Sequence, residues 1–314
     1  MRAVMSESFG AMPEVRELPE PTPGDGEVKI EVQTSSLNGF DAKLAGGFLA
    51  GEVEHQFPVV LGRDFAGIVT EIGPGVRGFM PGEKVFGVVA KPGLGDGSFG
   101  EYVVVPEEMG LAPLPAGLDY RCAGVLGLAG IAALASVDAV GPGRGETLLI
   151  SGATGGVGHY AVQLATARGA TVIATAEAGP AADLLHELGA AHTVDHRADL
   201  AAQVRRLAPD GVDNAIHLAG DPEMVADLVT PGGRFASTVG VDAEQLGDRE
   251  LNVSTIEAIP DRIVLDHIAT EAAADRLRPS IARTYLLDEV PQAFTDFNNS
   301  GTVGKLAVAI GSAG

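Results

Sequence analysis

A two-domain α/β fold, with a small irregular β-barrel first and a doubly wound parallel sheet second, is what this sequence predicts. Short β-branched runs separated by turns fill the first third. From about Leu118, apolar strands alternate with helices. Between them in kind stands a glycine-dense turn, Ser151 to Gly158, which joins a strongly apolar strand to a helix. At 314 residues the chain exceeds the size at which one core usually keeps growing, so two domains are expected.

Segments 27–35, 65–72, 84–89 and 101–105 are short, β-branched and mostly alternating, as strands with one buried face are. Turn-rich stretches at 19–26 and 73–78 separate them, which suits a small barrel better than an open sheet. Residues 122–137 form the longest uncharged apolar stretch; it is too short, and too rich in glycine and alanine, to span a membrane and reads as a buried helix. Strands are then expected at 148–150, 171–174, 192–194, 212–218 and 234–239. Helices are expected at 159–167, 181–188, 200–207 and 222–229, and such repeated βα units make a Rossmann-type parallel sheet. Beyond residue 263 a helix-like stretch leads to Tyr285-Leu286-Leu287 and a closing strand at 305–310, which returns to the β domain. The expected division is 1–117 with 280–314 for the barrel and 118–279 for the parallel sheet.

Composition excludes several classes. A formal net charge of −21 argues against a nucleic-acid or anionic-membrane surface, because phosphates are held by clustered lysine and arginine. Cys122 is the single cysteine, which rules out an intramolecular disulfide and a multi-cysteine zinc site. The opening Met1-Arg2-Ala3-Val4-Met5 runs straight into Ser6, Glu7 and Ser8 and lacks the apolar core of a signal peptide, so the expected location is the cytoplasm.

The turn at 151–158 suits a dinucleotide pyrophosphate. Gly155 allows a tight turn, Gly156 brings backbone close to the phosphates, and Gly158 lets helix and strand pack. Free N–H groups at the helix start point towards the anion.

Several separated motifs resemble the medium-chain dehydrogenase/reductase superfamily and, within it, the zinc-independent quinone oxidoreductase branch. They are Met1-Arg2-Ala3-Val4, Leu37-Asn38 with Asp41, Leu61-Gly62-Arg63-Asp64-Phe65-Ala66-Gly67, Pro81-Gly82-Glu83-Lys84-Val85 and Gly100-Glu101-Tyr102. Gly152-Ala153-Thr154-Gly155-Gly156-Val157-Gly158, Pro231-Gly232-Gly233-Arg234 and Gly304-Lys305-Leu306 complete the set. The resemblance implies a GroES-like catalytic domain split around a Rossmann NAD(P)-binding domain, NADPH as cofactor, and a homodimer joined through residues 252–257. Zinc-dependent relatives carry cysteine and histidine ligands near Gly39 and Arg63, and both are missing here. Short-chain dehydrogenases need a lysine four residues after a tyrosine, a spacing none of the four tyrosines has.

Without a metal to polarise an oxygen, the suitable hydride acceptors are quinones and α,β-unsaturated carbonyls, whose developing charge spreads by conjugation. Asn38, Asp41 and Lys43 form the candidate catalytic set. Asn38 is expected at the nicotinamide end, and Lys43 either stabilises an oxyanion or pairs with Asp41 or Asp64. Arg63 and Asp64 are expected to form a structural pair. Phe48 stands where many quinone reductases have a tyrosine, and Ile131 where the family often has a threonine. The candidate cofactor set is Thr154, Gly155, Gly156, Val157, Glu177, His196, Ala219 and Val239. Glu177, about 20 residues past the glycine turn, suits the ribose hydroxyls of NADH, while His196 and Arg197 are the nearest partners for the 2′-phosphate of NADPH. A dedicated enoyl or enone reductase, or a non-catalytic nucleotide-binding relative, are the alternatives.

Overall fold

The computed structural model describes residues 1–48, 50–51, 54–91, 93–299 and 301–311. The chain forms two compact units, Met1–Leu128 with Pro260–Gly314, and Ala129–Ile259. Among the described residues, no helix is long and apolar enough to cross a membrane.

The first unit opens with β1 (Arg2–Ser6), β2 (Glu14–Glu17), β3 (Glu27–Leu37), α1 (Gly39–Ala45), β4 (Val59–Val60), β5 (Asp64–Ile72), β6 (Lys84–Val88), β7 (Tyr102–Pro106), β8 (Leu111–Pro113) and α2 (Tyr120–Ala123). β3 is its spine, antiparallel to β5 from Val28↔Ile72 to Ser36↔Asp64 and to β7 on its N-terminal half. Its inward residues Val28, Ile30 and Val32 pack with Phe65, Val69, Val85 and Val105 in a dry core. Gly67 is required for this pairing, because a Cβ there would meet the Glu31 carbonyl oxygen at 2.1 Å.

The second unit follows through α3 (Gly127–Val140), β9 (Thr147–Ser151), α4 (Gly158–Ala167), β10 (Thr171–Thr175), α5 (Pro180–Glu187), β11 (His192–Val194), α6 (Leu200–Leu207), β12 (Val212–His217), α7 (Pro222–Ala226), β13 (Val229–Ser237) and β14 (Asn252–Thr255). The sheet runs β11-β10-β9-β12-β13-β14 and every neighbouring pair is parallel. Strand order therefore reverses between β9 and β12, the switch point outside which open α/β sheets bind ligands. Asp199 and Asp221 cap α6 and α7 by accepting first-turn N–H groups.

The chain then returns to the first unit with α8 (Arg262–Ala273), β15 (Ile281–Leu286), α9 (Val290–Asn298) and β16 (Lys305–Ala309). β16 lies between β15, to which it is parallel, and β3, to which it is antiparallel with Leu306 opposite Leu37. This register brings the last strand beside the loop that leaves β3.

Several bounds differ from the sequence expectation. Residues 118–128 and 260–279 group with the barrel rather than with the parallel sheet, because α2 packs on β3 and β5, α8 packs on β8, and the Gly110 N–H donates to the Pro260 carbonyl at 2.9 Å. The helix expected at 122–137 is two helices, α2 and α3. Gly124 between them presses on Thr34, with a Cβ there 2.7 Å from that methyl group. The helix expected to 229 stops at Ala226, since Val229 already pairs with Val212 in β13.

Candidate active site

In the first unit the site grows from the loop between β3 and α1. Asp64 opens β5, opposite Ser36, and its fully buried carboxylate accepts four donors. These are Ser36 Oγ at 2.6 Å, Asn38 Nδ2 at 2.9 Å, the Leu128 backbone N–H at 2.7 Å and Lys305 Nζ at 3.3 Å. Lys305, 3% exposed at the start of β16, also donates to the Leu37 carbonyl at 3.2 Å and to Asn38 Oδ1 at 2.5 Å. All three ammonium protons are thereby engaged. Asn38 donates its second amide proton to the Ser36 carbonyl at 3.3 Å. A carboxylate only accepts and an ammonium only donates, so the amide orientation of Asn38 is fixed.

Lys305 thus takes the place at Asp64 that the sequence offered to Arg63 or Lys43. Arg63, 5% exposed, instead donates Nη1 to the Val89 carbonyl at 3.2 Å and lies 5.0 Å over the Phe40 ring. Lys43 is exposed, with Nζ 4.9 Å over the Phe48 ring, and forms no ion pair with Asp41 or Asp64 among the described residues. Asn38 and Asp41 are brought together, the Asn38 N–H donating to Asp41 Oδ2 at 2.8 Å, while Lys43 points its charge elsewhere.

Asp41 is fully buried, and its Oδ1 and the Nη2 of Arg63 both lack a hydrogen-bond partner among the described residues. Burial pushes the Asp41 carboxyl up to about 6 from its ordinary 3.8, against the pull of the Asn38 N–H and the Arg63 charge. Burial likewise pushes Arg63 down, with Asp41 opposing. An acid whose folded pKa is raised contributes stability below its unfolded value and loses it as pH rises through the folded one. Asp41→Asn is therefore expected to stabilise the protein by about 1–2 kcal/mol at pH 8 and to change little near pH 4. Urea unfolding at the two pH values checks this, and an equal gain at both would disprove it.

In the second unit, Thr154, Gly155, Gly156 and Val157 form the turn after β9. Gly152 takes φ +77° and donates its N–H to Thr175 Oγ1 at 2.8 Å, and the Gly155 N–H closes the turn on the Gly152 carbonyl at 3.1 Å. A Cβ on Gly158 would meet that carbonyl oxygen at 2.4 Å, so the start of α4 presses directly on the turn. At the start of α4 the His159 N–H donates to the Gly155 carbonyl at 3.2 Å and the Ala161 N–H to the Val157 carbonyl at 3.0 Å, and this end of the helix carries the positive end of its dipole. Ala219, after β12, packs against this turn: a Cβ at Gly152 would sit 3.1 Å from the Ala219 Cβ. Val239, 40% exposed, follows β13. These features fit a dinucleotide pyrophosphate.

Glu177 lies two residues past β10 and is exposed. Arg197, after β11, donates charge to it at 2.9 Å from Nη2 and lies 3.6 Å from Asp195 through Nε. His196 is exposed beside this pair. The pairing joins the residue that suited NADH to one that suited NADPH.

Sequence reasoning missed Lys305 as a site residue, although a lone lysine before Leu306-Ala307-Val308 was a visible signal. It also missed the polar residue that ends each central strand: Ile150-Ser151, Ala174-Thr175, Ile216-His217 and Ala236-Ser237 repeat one apolar-to-polar step.

Residues 24–116 match the alcohol dehydrogenase GroES-like domain and residues 156–259 match the zinc-binding dehydrogenase domain. The chain is 34% identical to the chloroplastic quinone-oxidoreductase QR1 of Triphysaria versicolor, over 98% of each protein. It is 33% identical over 91% of its length to the spectinabilin polyketide synthase system protein NorB of Streptomyces orinoci, of which it spans 13%. The solved structure of the quinone oxidoreductase from Coxiella burnetii superposes with a TM-score of 0.89 at 26% identity, covering 99% of each chain. The protein belongs to the medium-chain dehydrogenase/reductase family. It is an oxidoreductase of the quinone oxidoreductase type, built to bind a pyridine nucleotide.

The second domain match carries zinc in its name, and the residues here do not fit that metal. Asn38 is committed to Asp64 and Lys305, Asp64 already neutralises an ammonium, and Arg63 adds a second cation beside them. Burial and Asp119 push the Cys122 thiol up to about 11, away from the thiolate a metal requires. Among the described residues no three His, Cys, Asp or Glu side chains gather as a ligand set.

Proposed function

We propose that this protein is a zinc-independent reductase that passes hydride from NADPH or NADH to a quinone or an α,β-unsaturated carbonyl. The observation that supports this most is the enclosed Asn38–Asp64–Lys305 network, which fills the catalytic loop with fixed charge and offers no Lewis acid. A conjugated acceptor is the substrate class that needs none, because its developing charge is delocalised. When bound, the reduced nicotinamide supplies two electrons and a proton as hydride; a second proton comes from solvent.

Within this proposal the turn residues Thr154 to Val157 hold the pyrophosphate, and Ala219 and Val239 border the nicotinamide. Asn38 stands at the nicotinamide end of the site, and Asp41 fixes the Asn38 backbone. Lys43, exposed at the end of α1, screens negative charge on the acceptor. Phe48, 64% exposed, offers an apolar face without a phenolic donor. NADPH is the cofactor family resemblance favours, and the Glu177–Arg197 pair leaves NADH a competitor. A homodimer through β14, the edge of the parallel sheet, completes the proposal.

Steady-state oxidation of both cofactors with quinones and enones, after chelation, tests the proposal. Chelator-resistant turnover is expected; loss of turnover restored by zinc, or silence across the panel, would overturn it. The likeness to a polyketide synthase protein favours a second reading, a dedicated enoyl or enone reductase of a biosynthetic route, which the same panel separates by acceptor preference.

A further inference from the structure

The parallel register between β9 and β10 ends with Ile150 opposite Ala174. Past that point β10 leans to its other neighbour, where the Ala176 N–H donates to the Val194 carbonyl at 2.9 Å. The chain leaving β9 thus reaches Gly152 where the backbone of β10 offers it no acceptor among the described residues. A side chain takes over: the Gly152 N–H donates to Oγ1 of Thr175, the 4% exposed residue that closes β10, at 2.8 Å. Ser151, one residue before Gly152, uses its hydroxyl elsewhere and donates to the Ala219 carbonyl.

This bond fixes the entry to the glycine turn. Gly152 holds φ +77°, and its carbonyl accepts the Gly155 N–H, so whatever sets Gly152 also sets the residues after it. Within the turn the Gly155 N–H is spent in this way. The N–H groups of Thr154, Gly156, Val157 and Gly158 have no acceptor among the described residues. Thr154, Gly156 and Val157 are half-buried, and a run of unspent backbone N–H groups ahead of a helix is what an anion takes.

We infer that Thr175 is a positioning residue for the dinucleotide pyrophosphate: its hydroxyl holds Gly152, and through Gly152 the direction of the unspent N–H groups. The inference rests on the proposal that this turn binds the pyrophosphate. Without the hydroxyl the Gly152 N–H turns toward another acceptor, a change in φ that glycine resists little. The Gly155 bond to Gly152 then carries the change into the turn. Thr175 stands two residues before Glu177, yet it acts on a part of the cofactor that NADH and NADPH share. Its loss therefore weakens both alike.

Calorimetric titration of NAD⁺ and NADP⁺ into wild type, Thr175→Val and Thr175→Ser tests this, with the melting temperature of each unliganded protein measured alongside. Thr175→Val keeps the β-branched shape that suits a strand and removes the acceptor. It is expected to weaken both dinucleotides by about tenfold and to leave the ratio of the two affinities unchanged. Thr175→Ala removes the same acceptor without filling the space and is expected to show the same loss. Thr175→Ser keeps the oxygen and is expected to stay within about threefold of wild type for both dinucleotides. A merely structural role would lower the melting temperature of Thr175→Val and leave both affinities of the folded protein as they were, which would overturn the inference. A loss confined to one dinucleotide would also overturn it, because the hydroxyl would then act at the adenosine ribose. So would a Thr175→Ser that binds as weakly as Thr175→Val, since the hydroxyl would not be what matters. Failure of wild type to bind either dinucleotide would overturn the cofactor proposal and this inference with it.

Discussion

Lys305→Met is expected to destabilise the protein by about 3–5 kcal/mol, whereas Asp64→Asn combined with Lys305→Met recovers most of that loss. Asp64 is fully buried and Lys305 is 3% exposed, so removing the ammonium alone strands a carboxylate away from water. The remaining donors, Ser36, Asn38 and the Leu128 N–H, supply hydrogen bonds but no counter-charge. The double substitution removes both charges and leaves a neutral amide among the same donors, so the desolvation penalty disappears with the pair. Denaturant unfolding of wild type, Lys305→Met, Asp64→Asn and the double variant measures the coupling. Equal losses in the single Lys305 variant and the double variant would show that the ammonium acts through packing rather than through Asp64.

Glu177→Gln is expected to raise the ratio of NADPH to NADH use by about ten- to a hundredfold, and Arg197→Gln to lower it by about tenfold. The two side chains pair at 2.9 Å beyond the ends of adjacent parallel strands. A ribose with free hydroxyls wants the carboxylate as acceptor, while a 2′-phosphate is repelled by it and wants the guanidinium. On the proposed placement of the adenosine ribose, each cofactor competes with the ion pair for one of its members. Removing Glu177's charge both ends the repulsion and releases Arg197. The ratios of kcat/KM for the two cofactors in each variant are the measurement; a ratio that stays constant across all three proteins would place the adenosine ribose elsewhere.

The sequence was most legible where periodicity and glycine chemistry dominate. The parallel strands from β9 to β13 were visible because each is a short apolar run between helices, and the turn at 152–158 because close packing admits only glycine at 158. Asn38 and Asp41 were also singled out, and the structure brings both into hydrogen-bonded positions. What stayed hidden was long-range pairing. Nothing local says that Asp64 meets a lysine 241 residues later rather than the arginine beside it. Arg63 lies just before β5 and turns to the Val89 carbonyl and the Phe40 ring instead, which is why neighbours in sequence made the wrong pair. The helix bounds near 124 and 228 were lost for a similar reason: tertiary contacts with Thr34 and Val212 interrupt runs whose composition alone would continue.

Because β16 supplies Lys305, the barrel unit is assembled from segments on both sides of the parallel-sheet unit, which is translated in between. A ribosome adds roughly 5–20 residues per second, so Asp64 emerges on the order of tens of seconds before the cation that neutralises it. During that interval the parallel-sheet unit, Ala129–Ile259, already has every residue it needs to fold. Vectorial synthesis thus makes the nucleotide-binding unit ready first. The Asp64 carboxylate lacks its ammonium partner until β16, the last strand, has been made.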